Sequence, residues 1–294
     1  MKTFCTLFLC FIYCTANAQT FKVLDAVTNQ PVPFATVLAM NNGEQQSRDY
    51  CSQDGSVTIS VKSYDFLQIS CIGYKEKALG KADVSTEILL EPEALQLDEV
   101  VISRRAEVVT VGYIDKKKLS FSGTAAGFTD AVYIVNTTGK ATYVKSFLFK
   151  IVKAKNRFAY RLHFYKPAVG KNHPGEEITP ANIIGFVEKG AKGLTELDLL
   201  GYTIEFPEGG VYVGVEGLGA CNADGAILDT KEAYITYEDF ESAEFIFFHQ
   251  PDFFIKNGWI NENERVLRDY KETMMTNPPK GALRVPSFGL KVYK

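Results

Sequence analysis

Runs of alternating apolar and polar residues fill most of the chain. In residues 158–165 every second residue is large and apolar: Phe158, Tyr160, Leu162 and Phe164. The residues between them are Ala159, Arg161, His163 and Tyr165. A period of two is the spacing of a β-strand with one buried face, so His163 is expected on the polar face, either hydrogen-bonded or solvent-facing. Residues 144–151 repeat the pattern with Phe147, Phe149 and Ile151. The pattern predicts an all-β protein.

Residues 19–92 contain short runs of this kind separated by turn-forming residues. The apolar runs are FKVLDA, FATVLAM, VTISV, FLQISCIGY and EILLEP, and the segment NNGEQQSRDY between the second and third is predicted to be a polar loop. Asp54-Gly55 lies between two candidate strands and predicts a hairpin, because glycine accepts the positive φ of such turns. About seven strands at this spacing predict a small β-sandwich.

The remainder divides into a linker and a second domain. Residues 93–118 follow Pro92 and have clustered charges and weak periodicity, so we predict a linker that contains one extended segment. Residues 119–294 hold eight to ten longer strand-like runs, which predict a larger antiparallel sandwich of jelly-roll type. A helical pattern is seen in residues 264–275, ERVLRDYKETMM.

The N-terminal residues have the pattern of a secretory signal. Residues 1–18 carry one basic residue, Lys2, then an apolar run, then small residues that include Ala16 and Ala18. This predicts cleavage between Ala18 and Gln19 and export of the mature chain, which is expected in the periplasm or at the outer membrane, soluble or peripherally attached. The formal net charge is −3 and there is no dense basic run, which argues against nucleic acid as a partner.

Three cysteines remain after removal of the signal. These are Cys51, Cys71 and Cys221, an odd number that cannot all pair internally. Cys71 is expected to be a buried free thiol, and a Cys51–Cys71 bridge is the alternative.

Several of these motifs together resemble a known family. TNQPVPFATV (28–37), the Asp54-Gly55 turn, LQISCIGYK (67–75) and ILLEP (88–92) are similar to the carboxypeptidase-like regulatory domain. The resemblance implies a transthyretin-like seven-stranded sandwich of the kind common in exported proteins of Gram-negative envelopes. Residues 119–294 are similar to a C-terminal β-sandwich that follows this domain in envelope proteins, for which the resemblance implies no catalytic residues.

The segment LQLDEVVIS (95–103) also resembles a segment of a class of outer-membrane receptors. In TonB-dependent receptors a similar stretch joins the regulatory domain to the plug and is gripped by the energy-transducing protein. The resemblance implies a partner-docking strand, since strand addition suits an extended segment, with these residues: Leu97, Asp98, Glu99, Val100 and Val101. Such a receptor also needs a membrane domain of many strands at roughly 10 residues each, for which residues 104–294 are too few.

Candidate chemistry is sparse. His173 and Glu176 have the H-x-x-E spacing, with His249 as a conceivable third zinc ligand, but Pro174-Gly175 predicts a hairpin turn instead. Asp224 and Asp229 lack the spacing of a calcium loop. GVEGLG (214–219) predicts a strand bulge and not a phosphate loop. We therefore predict no catalytic residues, metal or cofactor.

Carboxylates and aromatic residues leave two alternatives open. A hydrolase would need two converging carboxylates, from the set Glu205, Glu208, Glu216, Asp239, Glu241 and Glu244. A carbohydrate-binding module would need an exposed aromatic platform, from the set Tyr143, Tyr165, Tyr202, Tyr212, Tyr234, Tyr237 and Trp259. The favoured prediction is a non-enzymatic envelope protein that binds or assembles with an envelope protein or glycan, and a carbohydrate-binding module is the alternative.

Overall fold

The computed structural model describes residues 19–93, 107–115, 117–228, 234–242, 244, 246–250, 258–272 and 283–294. Within these ranges the protein is built almost entirely of β-strands, with a single α-helix and one short 3-10 turn at Lys81–Asp83. The predicted all-β sandwich fold is confirmed. No helix in this part of the chain combines the length and the apolar composition needed to cross a membrane.

Seven strands in residues 19–93 form the first sandwich. They are β1 (Thr20–Asp25), β2 (Thr36–Asn41), β3 (Glu44–Tyr50), β4 (Ser56–Thr58), β5 (Phe66–Ser70), β6 (Lys77–Gly80) and β7 (Glu87–Leu90). One sheet has the order β4-β1-β7 and the other β3-β2-β5-β6. The β1–β7 ladder is parallel and the other ladders are antiparallel. Alternate apolar side chains such as Phe21, Val37, Leu67 and Ile88 fill the space between the sheets.

The segment NNGEQQSRDY is not the loop that its polarity predicts. Its last seven residues form β3, an edge strand that pairs with β2 in a hairpin. Asn42 and Gly43 both adopt positive φ, 51° and 76°, which is the backbone that a two-residue hairpin turn requires. Ser47 and Tyr50 are the buried residues of this strand, so its hydrophobic pattern is weak.

The predicted Asp54-Gly55 hairpin is also wrong. The two residues do form a tight turn with Gly55 at φ 76°, but β3 and β4 belong to different sheets and β4 pairs with β1. The turn therefore carries the chain from one sheet of the sandwich to the other. A side chain on Gly55 would come within 2.6 Å of the Val23 carbonyl oxygen, which explains the need for glycine here.

The second sandwich is larger and has one helix. Its elements are β8 (Val108–Gly112), β9 (Lys118–Ala125), β10 (Thr129–Val135), β11 (Thr142–Ile151), β12 (Phe158–Pro167), β13 (Pro174–Glu177), β14 (Ile183–Val187), β15 (Gly193–Asp198), β16 (Glu205–Phe206), β17 (Gly210–Ala220), β18 (Tyr234–Glu241), β19 (Phe247–Gln250), β20 (Ile260–Asn261), α1 (Glu262–Glu272), β21 (Arg284–Pro286) and β22 (Phe288–Tyr293). The predicted helix is confirmed over residues 264–272.

The strands of the second sandwich form two antiparallel sheets. One has the order β13-β12-β17-β10-β19-β20, with β14 also paired to β12. The other has the order β21-β18-β11-β22-β8, with β9 paired to β18 and with β15 and β16 paired to β11. Phe149, Tyr160, Tyr237 and Phe288 are fully buried between them, and their rings meet edge to face.

The predicted linker is partly a strand. Residues 108–112 form β8, which pairs with β22 at the edge of the second sandwich, and Lys118 begins β9. Only Val111 of β8 is buried, so the apolar alternation that marks other strands is nearly absent. The proposed docking strand, residues 97–101, and the predicted signal, residues 1–18, lie outside the described residues.

Candidate functional site

The first sandwich covers the outer face of strands β12 and β17. Phe34 and Tyr50 pack there against Ala159, Leu218 and Cys221. The Asn182 side-chain amide also donates a 2.8 Å hydrogen bond to the Pro33 carbonyl oxygen. The polar side of the β12 alternation therefore faces the other domain, and both faces of the strand are buried.

Charged side chains from β12, β13 and β17 meet at this domain boundary. We call Tyr50, Arg161, His163, Glu177 and Glu216 the interface cluster. Glu216 is its centre: one carboxylate oxygen lies 2.8 Å from Arg161 Nη1 and 3.1 Å from His163 Nε2, and the other accepts a 2.7 Å hydrogen bond from the Tyr50 hydroxyl. His163 Nδ1 lies 2.7 Å from Glu177.

Strand register brings the central pair together. Arg161 on β12 is directly opposite Glu216 on β17, and cross-strand neighbours of opposite charge attract. Arg161 also reaches the first sandwich, where it donates to the Thr36 hydroxyl at 3.2 Å and to the Phe34 carbonyl oxygen. The Arg161 and Glu216 side chains are only 5% and 6% exposed. Neither can exchange its partner for water.

The protonation states follow from these contacts. Burial lowers the pKa of His163, but Glu177 and Glu216 raise it more strongly, to about 9. Burial raises the pKa of Glu216, while the Arg161 guanidinium and His163 hold it well below its usual range. At neutral pH the interface cluster therefore contains two cations, Arg161 and His163, and two carboxylates, Glu177 and Glu216. Arg48 adds a third cation at the edge of the cluster, where its Nη1 lies 3.6 Å from Glu216 and its side chain is 22% exposed.

A second polar site, the α1 cavity, lies between β9, β10, β19, β21 and helix α1. Its volume is about 230 Å³. Polar and charged side chains dominate its wall, which is formed by Ser122, Gly123, Asp130, Phe247, His249, Glu262, Arg265 and Arg284.

His249 and Asp130 form a hydrogen-bonded pair in this wall. They are opposite each other on β19 and β10, and His249 Nδ1 lies 2.7 Å from Asp130 Oδ1. The buried Tyr237 hydroxyl donates to the other Asp130 oxygen, and the Phe128 ring stacks on the imidazole at 5.4 Å. Burial lowers the pKa of His249, but the hydrogen bond to Asp130 raises it, and the net shift is upward. Nε2 has no hydrogen-bond partner among the described residues.

Asp239 and Arg284 form a second pair beside the first. The Asp239 side chain is completely buried, and its Oδ2 accepts a 2.6 Å hydrogen bond from Ser122 and lies 3.5 Å from Arg284 Nε. Burial raises the pKa of Asp239 to about 6. Oδ1 has no partner within the described part of the chain. Arg284 is 35% exposed, and no described residue accepts a hydrogen bond from its terminal nitrogens.

Helix α1 contributes a third ion pair. Asn261 caps the helix by accepting a 3.1 Å hydrogen bond from the Glu264 backbone N–H. One turn further, Arg265 binds Glu262 at 2.7 Å and Asp269 at 3.2 Å. Its guanidinium and the Glu262 carboxylate therefore largely satisfy each other.

The histidines considered for zinc do not share a site. Pro174 and Gly175 are not the turn that the sequence predicts: they begin β13, and the turn precedes them. His173 Nδ1 contacts the Pro174 carbonyl oxygen, Glu176 pairs with Lys166 at 3.7 Å, and His249 pairs with Asp130. No group of three or more metal-binding side chains is present in the described ranges. Asp224 is exposed, and Asp229 lies outside the described residues.

The aromatic residues considered for a sugar platform are dispersed. Tyr237 is in the core, and Tyr165 and Tyr212 are at least nine-tenths buried in a cluster with Phe248 and Trp259. Tyr234 is half exposed on another sheet. Among described residues these rings do not form one flat exposed row.

The three cysteines in the described ranges are free. Cys51, Cys71 and Cys221 are all buried, and neither 51–71 nor any other pair is bridged. Burial raises the pKa of the Cys71 thiol to about 11, so the thiol is protonated at neutral pH.

Sequence reasoning missed Asp130 and the partners of His249. A signal was present: Asp130 is the second residue of a strongly apolar strand, TDAVYIV, where an unpaired charge would be costly. Its partner lies on a strand 119 residues further along the chain, a distance that local pattern does not bridge.

No family model matches the chain, and no curated protein matches it. Solved structures to which it is similar include the cysteine protease and lectin-like domains of Cwp84, a surface-layer-associated protein of Clostridium difficile, at 8% identity and a TM-score of 0.34. That alignment covers 60% of this chain and 36% of the Cwp84 chain.

Two further solved structures are similar to this chain at comparably low sequence identity. A variant of the clostridial cysteine protease Cwp84 after propeptide cleavage aligns at 9% identity and a TM-score of 0.41, covering 94% of this chain and 70% of that one. A structure of the Gx strain of infectious bursal disease virus aligns at 11% identity and a TM-score of 0.21, covering 94% and 59%. No residue role is transferred from any of them.

The interface cluster generates a stability prediction. Glu216→Gln removes the charge that neutralises buried Arg161, and breaking a buried pair in this way costs about 3–5 kcal/mol. The free energy of unfolding from urea titration should fall by that amount. Glu188→Gln is the matched control, because Glu188 binds Arg157 while 68% exposed, and it should change stability by less than ~1 kcal/mol. Equal effects of the two substitutions would contradict a central role for Glu216.

The raised pKa of His163 generates a pH prediction. Its stabilising charge is fully present below its unfolded pKa, near 6.5, and is lost as pH rises through about 9. The free energy of unfolding should therefore decline across this range by up to ~3 kcal/mol. In His163→Gln the decline should be largely absent, and a variant that keeps the full slope would show that another group causes it.

Proposed function

We propose that this protein is an exported, non-enzymatic component of a Gram-negative cell envelope that binds a ligand or partner through its second sandwich. The α1 cavity is the proposed binding site. The observation that carries the proposal is that His249 and Arg284, each held by a buried carboxylate, present unoccupied hydrogen-bond donors in one concave site. Convergent polar groups in a formed pocket are the usual mark of a binding site.

The location rests on the sequence. The signal pattern of residues 1–18 and the resemblance of residues 20–92 to the carboxypeptidase-like regulatory domain both favour export to an envelope. The periplasm or the outer membrane is the proposed compartment, with an envelope protein or glycan as partner.

The first sandwich has a supporting role in this proposal. Its contacts with β12 and β17 bury Arg161 and Glu216, so the two domains share part of their stability. We infer that the first sandwich stabilises the sheet that carries Asp130 and His249, while the second sandwich presents the ligand site.

A carbohydrate-binding module is the second candidate. The size of the α1 cavity, about 230 Å³, suits one sugar unit, and its wall combines donors and acceptors with the apolar ring of Phe247. Sugar hydroxyls need both kinds of polar group. A site of this shape would bind the end of a glycan in a pocket and not along a flat aromatic row.

Binding by the mature chain, residues 19–294, to arrayed glycans and to isolated cell-envelope fractions tests the proposal. The double substitution His249→Ala with Arg284→Ala should reduce the retained protein at least ~10-fold, because it removes both free donors. His173→Ala, in an exterior turn, is the control and should bind like the unmodified chain.

Circular dichroism and the unfolding midpoint establish that each variant is folded. Equal retention of the double variant and the unmodified chain would contradict the cavity as the binding site. Absence of retention for the unmodified chain on every surface would contradict the binding role itself.

A further inference from the structure

We propose that the α1 cavity is a site for an oxyanion, a carboxylate or phosphate carried on a molecule the size of a single sugar, with His249 and Arg284 as its ligands. This inference rests on the proposed binding function and names the chemical class of its ligand. It follows from the hydrogen-bonding capacity that the cavity wall leaves unused.

His249 lines the cavity, and one of its two ring nitrogens is already held by a hydrogen bond. Asp130, which also lines the cavity, holds Nδ1, and the Phe128 ring stacks on the imidazole, so these two contacts set the orientation of Nε2. In the protonated ring both nitrogens are donors, and the second donor then has no partner among the described residues. An acceptor on a ligand would satisfy it.

Arg284 adds the second donor group. Its Nε lies 3.5 Å from buried Asp239, which leaves the two terminal nitrogens without acceptors in the described residues. Two parallel N–H groups match the geometry of a carboxylate or a phosphate. Asp239 and Asp130 therefore have the same role: each is a buried carboxylate that binds and positions one cation, Arg284 or His249.

The carboxylates near the cavity are already occupied. Asp130 accepts from His249 and Tyr237, and Glu262 accepts from Arg265 through more than one contact. Asp239 has one oxygen bound and is itself fully buried, outside the residues that line the cavity. The unused capacity of the wall is therefore predominantly that of donors, which favours an anion over a metal ion or an amine.

The volume of the α1 cavity limits the size of the ligand. A cavity of about 230 Å³ is below the usual range of about 300–1,000 Å³ for sites that hold drug-sized molecules. It is far larger than a bare phosphate needs. A sugar acid or a sugar phosphate places its anionic group on His249 and Arg284 and its hydroxyls against Ser122 and Glu262.

Isothermal titration of the mature chain with four probes tests this assignment. The probes are D-glucuronate, glucose 6-phosphate, neutral glucose and inorganic phosphate, each at low salt and at physiological salt. We expect one or both anionic sugars to bind at least ~10-fold more tightly than glucose, because a charged hydrogen bond contributes more than a neutral one. Inorganic phosphate should bind more weakly than the preferred sugar anion, and added salt should weaken all anion binding.

Two single substitutions and one control make the test specific. Arg284→Gln and His249→Gln should each weaken binding of the anionic sugar at least ~10-fold. Arg268→Gln is the matched control: it removes the same charge from α1 at a side chain that is 66% exposed and outside the cavity wall, and it should change affinity less than about twofold. If Arg284→Gln fails to fold because Asp239 loses its cation, His249→Gln decides the result.

The outcomes separate this inference from the proposed function. If glucose binds as tightly as the anions and the cavity substitutions abolish both, the oxyanion assignment is overturned while the cavity remains the binding site. If the anions bind but the cavity substitutions leave affinity unchanged, both are overturned. No binding of either anionic sugar at millimolar concentration overturns the oxyanion assignment, and glycan retention then decides the proposed function separately.

Discussion

The guanidinium of Arg161 is the charge on which the arrangement of the two sandwiches depends. It is buried at the domain boundary, where a solitary cation would cost several kilocalories per mole. Glu216 neutralises it from the next strand, and the first sandwich supplies the Thr36 hydroxyl and the Phe34 carbonyl oxygen. Because acceptors from both domains are needed, separation of the sandwiches would expose a network that neither completes alone.

The same principle recurs in the α1 cavity with a different result. In the interface cluster every charge finds its partner inside the protein, and the outcome is adhesion between domains. At the cavity, buried Asp130 binds His249 and buried Asp239 binds Arg284. Each of these two cations also has N–H groups that donate to no acceptor in the described residues. A buried carboxylate thus stabilises structure in one place and prepares a binding surface in the other. The two sites differ in what surrounds the cation: Arg161 meets acceptors of the first sandwich, whereas His249 and Arg284 line an open cavity.

The sequence predicts the fold well wherever large apolar side chains alternate with smaller or polar ones along a strand. The alternation in residues 158–165 marks β12, and the turn residues divide the first sandwich into its strands. Strands are missed where few of their residues are buried, because their sequences then lack the alternation of apolar and polar residues. The edge strands β3 and β8 are of this kind, and their patterns resemble those of loops. It also fails for the Asp54-Gly55 turn, because turn chemistry fixes the local backbone but not which sheet receives the next strand.

The candidate sites were less accessible to sequence reasoning. Arg161 and His163 fall on the polar side of an alternating strand, and nothing in that pattern distinguishes a solvent-facing side from one that a second domain covers. Asp130 and His249 are far apart in sequence and meet only because β10 and β19 are neighbours. Long-range strand pairing creates both sites, and single-sequence patterns carry no information on it.

The most direct test of the central claim, that the α1 cavity is a ligand site with His249 at its wall, is a nuclear magnetic resonance spectrum of the histidine ring nitrogens in residues 19–294. The protein has three histidines, which makes assignment by substitution straightforward. Addition of a binding sugar acid should shift the Nε2 resonance of His249 and leave His163 and His173 unchanged. A shift confined to His163 or His173, or no shift under conditions where binding is measured, would contradict the claim.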